Sequence, residues 1–357
     1  MTRTRIWRGP DEIRRNAGEL AAALAATGAQ VSAQWPAVEV WLHHHDREQP
    51  WAVLIDDPRL TDDPSGYRAV AVLSRRRRHG VGQVHSATEA GTPAAVRARD
   101  AEAGDRLAEA IVGELAGSRR PWTMSLGLLP EHDAAAEALR HRLRHAQSVA
   151  GPVVPRLIFE PDSDLRRHLS RNTRSAVARA RNRLLDAAGA PVDFRWLSAR
   201  AQADAVLTEV IDLHRRRNRQ LREYALLDDP AAAAYFEDMV TTHAEAGRLQ
   251  LLTARVNGDL AAFAVCFRGG ATSWVYANLV APEWTDFSVG TMTNAEVVRR
   301  FHAEPTTACL DWGAGTQRYK LSGGAQVCRT QMLQAWSNWP GWSRAQIRRL
   351  HPAWATT

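Results

Sequence analysis

Lysine is almost absent from this chain. Of its 46 lysine and arginine residues, only Lys320 is a lysine. A strong arginine bias is usually a matter of overall composition. An ammonium group, however, is a compact point charge whose pKa can shift, whereas a guanidinium is planar and always charged. The lone lysine therefore draws attention to "DWGAGTQRYK", at positions 311–320, as a candidate functional site.

Cysteine and long apolar runs are also scarce. The chain has three cysteines, at positions 266, 309 and 328, far apart and without a CxxC pair. This number and spacing indicate reduced thiols. No apolar run approaches the roughly 20 residues of a membrane-spanning helix, and no apolar stretch follows the basic residues of the N-terminus, as a secretory signal requires. We therefore expect a cytoplasmic protein without a membrane segment.

Positive charge is in excess. The formal net charge is +7 at pH 7, and such a balance favours a polyanionic partner such as tRNA, a nucleotide cofactor or a phosphorylated acceptor. A basic surface that results only from arginine bias explains the same number. Charge alone leaves both interpretations open.

Strand and helix patterns alternate along the chain. In the first half, "VEVWLHHH", "WAVLIDD" and "YRAVAVLS" predict strands, and an alanine-rich helix follows. In the second half, "RLQLLTARVNGDLAAFAVCFRGGATSWVYANLV" predicts three antiparallel strands, with turns at Asn257-Gly258 and Gly269-Gly270. Such alternation indicates α/β layering.

The 357 residues suit two domains of ordinary size better than one. We predict an N-terminal lobe at 1–157 and a C-terminal lobe at 158–357, which ends in a tryptophan-rich tail. The tail includes Trp336 and Trp339, and we interpret these rings as apolar packing across the lobes rather than as a stacking surface for bases.

Several segments of the second half together resemble a known family. They are "LSRNTRSAVARARNRL", "IDLHRRRNRQ", "YANLVAPEWTDFSVGTMTNAEVVRR" and "LDWGAGTQRYK". They look like the cellulose-biosynthesis-type branch of the GNAT acyltransferases, which is related to the Fem-type peptidyltransferases. The resemblance covers roughly 120–335. It implies an α/β fold of two tandem GNAT-like lobes, each a mixed, largely antiparallel sheet flanked by helices, with the N-terminal lobe degenerate.

The implied activity is acyl transfer to an amine, which forms an amide. Such a reaction needs positive charge or a hydrogen-bond donor aimed at the oxyanion, and a group that accepts the proton of the amine. In these families a strand ending in Asp-aromatic-Gly leads to Tyr-Lys or Phe-Lys. We therefore predict Lys320, Asp311 and Tyr319 as catalytic, with Lys320 at an open strand end. Gly313 and Gly315 are predicted to bind the anionic donor, because glycine allows close approach of the backbone.

The donor would be aminoacyl-tRNA, as in the Fem-type enzymes, or acyl-CoA, as in most GNAT enzymes. We expect either one as a co-substrate and no permanently bound cofactor. A helix is predicted to begin within the stretch Ser288, Val289, Gly290 and Thr291, where free N–H groups can hold an anion. Only Gly290 fits the pyrophosphate motif of CoA-dependent members, and this departure favours aminoacyl-tRNA.

The first lobe contains a formal match to that motif, Arg77-x-x-Gly80-x-Gly82, but no helical pattern follows it. A phosphate loop of this kind depends on a helix dipole behind it. We interpret this stretch as a basic loop that could contact tRNA.

Arginines accumulate on two predicted helices of the second lobe. They are candidate contacts for tRNA or phosphate: Arg167, Arg171, Arg174, Arg181, Arg215, Arg216, Arg217 and Arg219. Each phosphate contact would add affinity that falls with salt. A solvated amphipathic helix explains the pattern equally well.

Other classes of function remain in view. "HHHD" at 43–46 offers at most two converging ligands, so we predict no metal. A non-catalytic RNA-binding protein on a GNAT scaffold would carry the same charge. The sequence names neither the acyl group nor the amine-bearing acceptor.

Overall fold

The computed structural model describes residues 2–57, 66–118, 120–221 and 226–337. The helices and strands of the first part are β1 Arg3–Arg8, α1 Pro10–Arg15, α2 Ala17–Ala26, α3 Trp35–His44, β2 Gln49–Asp56, β3 Tyr67–Arg78, β4 Val81–Ser86, β5 Val96–Ala98, α4 Ala101–Ala116, β6 Trp122–Pro130, α5 Ala134–Arg142 and β7 Ala146–Ala150. The remaining elements are β8 Val154–Ile158, α6 Arg171–Ala188, β9 Asp193–Leu197, α7 Arg200–Leu221, α8 Pro230–Glu245, β10 Leu249–Val256, β11 Asp259–Gly269, β12 Thr272–Val280, α9 Val289–His302, β13 Cys309–Asp311, β14 Gln326–Cys328 and β15 Thr330–Trp336.

The chain forms two compact lobes, each with its own sheet. The first lobe contains the described residues up to 152 together with those from 329 onward, and the second lobe contains 153–328. Our predicted division at 157/158 differs from this in one important respect: β15 belongs to the first lobe, because it pairs with β6 on one side and β7 on the other. The predicted tryptophan tail beyond residue 337, including Trp339, lies outside the described residues.

The first sheet has the strand order β1-β2-β3-β4-β6-β15-β7, with β5 against β3. Helix α4 packs Leu107 and Ile111 against one face, and α2 and α3 pack Leu24 and Trp41 against the other. Because both faces are covered, the central strands are apolar throughout. This explains the uninterrupted apolar run of β2.

One strand prediction in this lobe is wrong. "VEVWLHHH" lies in helix α3, which buries Val38, Trp41 and Leu42 on the sheet. These positions are spaced i, i+3 and i+4, as on one helical face, and Pro36 occupies the first turn, where a missing N–H costs nothing.

The second sheet has the order β14-β8-β13-β12-β11-β10-β9. The predicted antiparallel strands are confirmed as β10, β11 and β12, with the first turn at Asn257-Gly258 and the second at 270–271. Phe263 and Phe267 are fully buried in β11. The predicted fold class, α/β with two tandem lobes and mixed, largely antiparallel sheets, is confirmed.

Each sheet contains one parallel pair among its described strands, and a helix makes the crossover. In the first lobe α4 connects β4 to β6, and in the second lobe α9 connects β12 to β13. The two crossover helices are therefore topologically equivalent. No helix among the described residues has the length and apolar character needed to cross a bilayer.

Candidate active site

The parallel strands β12 and β13 separate after a short pairing. Only Thr272–Trp274 of β12 pair with Cys309–Asp311 of β13. Beyond that point a bulge interrupts β12 against β11, since Val275 and Ala277 take consecutive partners and Tyr276 is the extra residue. Residues 276–280 of β12 are consequently half-buried, whereas the neighbouring β11 is buried. The split exposes the end of a strand at the point where α9 begins.

Asp311 is the last residue of β13 and is held from two sides. Its Oδ2 accepts a hydrogen bond from Arg156 Nε at 2.9 Å, and its Oδ1 accepts one from the Gly313 N–H at 2.7 Å. Burial works against the charge on Arg156, but the facing Asp311 outweighs it and raises the pKa of Arg156. With both carboxylate oxygens engaged, Asp311 is better placed to hold the turn that follows it than to accept a proton from an amine.

The two glycines after β13 adopt backbone conformations that side chains disfavour. Gly313 has φ 70° and Gly315 has φ 125°. A Cβ on Gly313 would lie 3.4 Å from Trp274 Nε1, and one on Gly315 would overlap the side chain of Gln317. The turn that begins at Gly313 therefore passes close to Trp274 and Val275, in the first half of β12.

Lys320 points into this turn. Its side chain is only 9% exposed, and its Nζ donates a hydrogen bond to the Ala314 carbonyl at 2.7 Å. Burial lowers the pKa of Lys320 to about 8, and the negative charge of Asp311 offsets only part of that effect. We had expected the ammonium group at an open strand end. Instead, it holds the 312–315 turn from inside, and a catalytic role for Lys320 stays a prediction.

Tyr319 belongs to a chain of hydrogen bonds across the split. Its hydroxyl donates to Asn278 Oδ1 at 3.1 Å, and Asn278 Nδ2 donates to Asn294 Oδ1 at 2.9 Å. Asn278 lies on β12 and Asn294 on α9, so the chain joins three elements. Burial raises the pKa of Tyr319, which keeps the phenol protonated and able to donate. The sequence analysis missed both asparagines, although Asn278 is the one strongly polar residue in "WVYANLV".

The N-terminus of α9 is open. Ser288 precedes the helix in the left-handed conformation, at φ 59°, and its side chain does not cap it. The N–H groups of Val289 and Gly290 have no hydrogen-bond partner among the described residues. Such orphan donors, together with the helix dipole, favour a bound anion. The structure thus places the predicted 288–291 stretch at a helix start, beside the Tyr319 network.

The equivalent helix start in the first lobe is closed. At α4 the carboxylate of Asp100 caps the helix by accepting the Ala103 N–H at 2.9 Å, and Arg68 pairs with the same carboxylate. A negatively charged cap occupies the position where an anion would bind. The degenerate character of the N-terminal lobe stays a prediction.

Basic side chains approach the α9 start from α6 and α7. Arg183 lies 3.4 Å from Ser288 Oγ, Arg216 pairs with Glu283 at 3.0 Å, and Arg217 reaches Thr285 Oγ1 at 3.3 Å. Arg183 was not among the predicted phosphate contacts. It was missed because its nearness to Ser288 depends on the packing of α6 against α9, which no local pattern reveals.

Most of the predicted arginines already have protein partners. Arg167 lies in a short 3-10 helix before α6 and pairs with Glu160, and Arg174 donates to the Leu169 carbonyl. Arg215 and Arg219 contact Asp228. Arg171 and Arg181 form no ion pair with any described residue. The helical face that the sequence predicted is thus partly neutralised, and its role in binding phosphate stays a prediction.

Comparison with known proteins agrees with this geometry. Residues 171–321 match the family described as the Acetyltransferase (GNAT) domain. Residues 171–321 of the second lobe are thus a GNAT domain. The match includes α9, both asparagines and the 311–320 turn. No curated protein sequence matches the chain.

Solved structures show the same two-lobed fold around the GNAT domain. FemX is 11% identical, with 96% of this chain and 99% of that chain covered at a TM-score of 0.63. A conserved protein of unknown function from Bacteroides thetaiotaomicron is 14% identical, with coverage of 90% and 97% and a TM-score of 0.57. The C-terminal domain of a putative lysylphosphatidylglycerol synthetase from Agrobacterium fabrum is 11% identical, with coverage of 93% and 97% and a TM-score of 0.55. At these identities the likeness concerns the fold alone.

Proposed function

We propose that the GNAT domain forms an amide by moving an aminoacyl group from aminoacyl-tRNA to the amine of a small molecule or peptide. The observation that carries the proposal is the open N-terminus of α9 beside the Tyr319–Asn278–Asn294 hydrogen-bond chain. A site for a phosphate of the donor and a phenol that can donate a proton then lie at one strand split, and transfer from an activated ester uses both donor binding and proton transfer.

Each group has a distinct role in this proposal. The free N–H groups of Val289 and Gly290, with Arg183 nearby, hold a phosphate of the donor. Tyr319 gives its proton to the ester oxygen that leaves as the C–N bond forms, the attacking amine loses its proton to water, and water returns a proton to the phenol. Asn278 keeps the phenol oriented until the donor arrives. Lys320 and Asp311 position the turn over the site, since their polar atoms are already engaged with it.

The choice of donor rests on charge. The net charge of +7 and the arginines of α6 and α7 favour a long polyanion over a compact one. Acyl-CoA is the second candidate, because free amides at a helix start suit a pyrophosphate. The side chains near the helix start do not support acyl-CoA, because Asp286, two residues before Ser288, is exposed and its negative charge would repel the pyrophosphate.

A single assay separates the donors. The purified protein is incubated with radiolabelled aminoacyl-tRNA pools or with labelled acyl-CoA, in the presence of amine acceptors. Product that disappears after RNase treatment supports the aminoacyl-tRNA donor, and product from acyl-CoA alone contradicts it. Binding of RNA without product from any donor would assign the chain to the non-catalytic alternative.

Tyr319→Phe tests the proposed proton donor. Loss of a general acid should lower turnover by roughly 10²- to 10⁴-fold, with little change in the thermal unfolding midpoint. Tyr67→Phe, which makes the same change in the first lobe, is the matched control and should leave turnover unaltered. Equal turnover for Tyr319→Phe and the wild type would remove Tyr319 from the mechanism.

A further inference from the structure

The first lobe contains a cavity lined by arginines, well separated along the chain from the GNAT domain. It has a volume of about 240 Å³. Its polar lining consists of Arg47, Gln49, Arg75, Arg77, Ser118 and Arg120. Four arginines line one space, and no acidic residue lines it. The positive potential of such a lining favours a bound anion.

The sheet brings these arginines together. Residues 75 and 77 lie two apart on β3 and therefore project on the same face. Gln49 pairs with Arg75 on one side, and Gly82 pairs with Arg77 on the other. A Cβ on Gly82 would lie 3.5 Å from Arg75 Cδ. A larger residue at Gly82 would fill the space beside the Arg75 stem, so the glycine leaves the cavity open.

Arg75 packs against an aromatic ring. Its guanidinium lies 5.7 Å from the ring centroid of Trp51, a cation–π contact. Its Nε is buried and has no hydrogen-bond partner among the described residues. A buried N–H without a partner is costly. A ligand oxygen in the cavity would satisfy it.

The arginines of this cluster have no acidic partners among the described residues. Elsewhere in the chain arginines are commonly paired, as Arg68 is with Asp100 and Arg97 with Asp133. Arg47, Arg77 and Arg120 form no ion pair with a carboxylate anywhere in the described residues. Their charges are therefore available to a ligand.

The cavity is not the counterpart of the α9 site. It lies where β4 and β6 begin, since Gly82 pairs with Trp122 in the first step of that parallel ladder, and Ser118 and Arg120 follow the C-terminus of α4. The counterpart of the α9 start is the capped N-terminus of α4, at the other end of the helix. The weak negative potential of the α4 C-terminus opposes an anion, but one helix end carries only about half a charge against four guanidinium groups.

We propose that this cavity is a second anion site, which binds a phosphate or pyrophosphate group through Arg47, Arg75, Arg77 and Arg120. Arginine forks match phosphate oxygens bidentately, and Gln49 and Ser118 add neutral donors at the rim. The phosphate belongs either to a small phosphorylated molecule or to the backbone of an RNA. The site is independent of the proposed transfer reaction.

The test measures pyrophosphate binding to the full chain by titration calorimetry at low ionic strength. Arg75→Gln/Arg77→Gln should weaken the affinity at least about tenfold, because two charge-assisted contacts are lost. The matched control is Arg76→Gln/Arg78→Gln, which removes two charges from the other face of the same strand, where Arg76 bonds to Gln83. It should change the affinity less than about twofold.

Equal weakening in both double variants would overturn the proposal, because it would mean diffuse attraction to a basic surface. An absence of saturable binding to the wild type would overturn it as well. A tRNA competition identifies the source of the phosphate: displacement of pyrophosphate by tRNA indicates an RNA backbone, and unaltered pyrophosphate binding in saturating tRNA indicates a small ligand.

Discussion

Replacing Lys320 by Met should change how the stability of the protein depends on pH. The side chain is 9% exposed, and burial lowers its pKa from 10.5 to about 8. At about 1.36 kcal/mol per pKa unit, keeping this lysine charged costs the folded state about 3 kcal/mol at pH 7. Above pH 8 the folded protein releases the proton while the unfolded chain keeps it until about pH 10.5. Stability therefore rises with pH in this window.

The rise amounts to about 2 kcal/mol between pH 7 and pH 9.5. Lys320→Met removes it, so the free energy of unfolding of the variant relative to the wild type should fall by that amount over the same interval. Urea denaturation of both proteins at the two pH values measures it. Cys309 and Tyr319 also titrate at high pH, but they are common to both proteins and cancel in the difference. An identical difference at pH 7 and pH 9.5 would show that Lys320 is not a buried charge.

Three further predictions concern the second lobe. His243 stacks on Phe267 and burial lowers its pKa from 6.5 to about 4, so acid favours the unfolded chain. Urea denaturation should show the free energy of unfolding of the wild type falling by about 2 kcal/mol more than that of His243→Phe between pH 7 and pH 5, because His214, whose pKa burial also lowers to about 4, is common to both proteins; an equal fall in both would contradict a buried neutral His243. Arg156→Met leaves the buried Asp311 without its ion-pair partner and should lower the free energy of unfolding by about 3 kcal/mol. Asp311→Asn added to this variant should restore part of that loss, and equal thermal unfolding midpoints for the single and double variants would contradict the pairing. Gly313→Ala places a residue with a side chain at φ 70° and should lower the free energy of unfolding by about 1–2 kcal/mol, as measured by calorimetry. An unchanged unfolding midpoint would refute the strained turn.

The fold was predictable where local pattern and tertiary packing agree. The three strands β10 to β12 combine apolar runs with Asn-Gly and Gly-Gly turns, so the sequence specifies their pairing. "VEVWLHHH" was misread because Val38, Trp41 and Leu42 fit a short apolar run as well as a helical face. The segment forms a helix rather than a strand because its apolar face packs against the first sheet.

The candidate site was predictable in part. The open start of α9 follows from its local sequence, and the 311–320 turn carries the family pattern. The hydrogen bonds from Tyr319 to Asn278 and on to Asn294 connect residues 41 apart and 16 apart in the chain. Such contacts arise from the split of β12 from β13, which has no local signature. The same applies to the inward direction of Lys320, because a sequence shows which residue is unusual but not which way it points.

The position of β15 has a consequence for how the protein is made. This strand lies between β6 and β7 in the first sheet, yet the ribosome produces it after the whole of the second lobe. Domains commonly fold as they emerge, N-terminal part first. Here the facing edges of β6 and β7 stay unpaired until residues 330–336 have been synthesised. Unpaired strand edges can associate with other chains during that time.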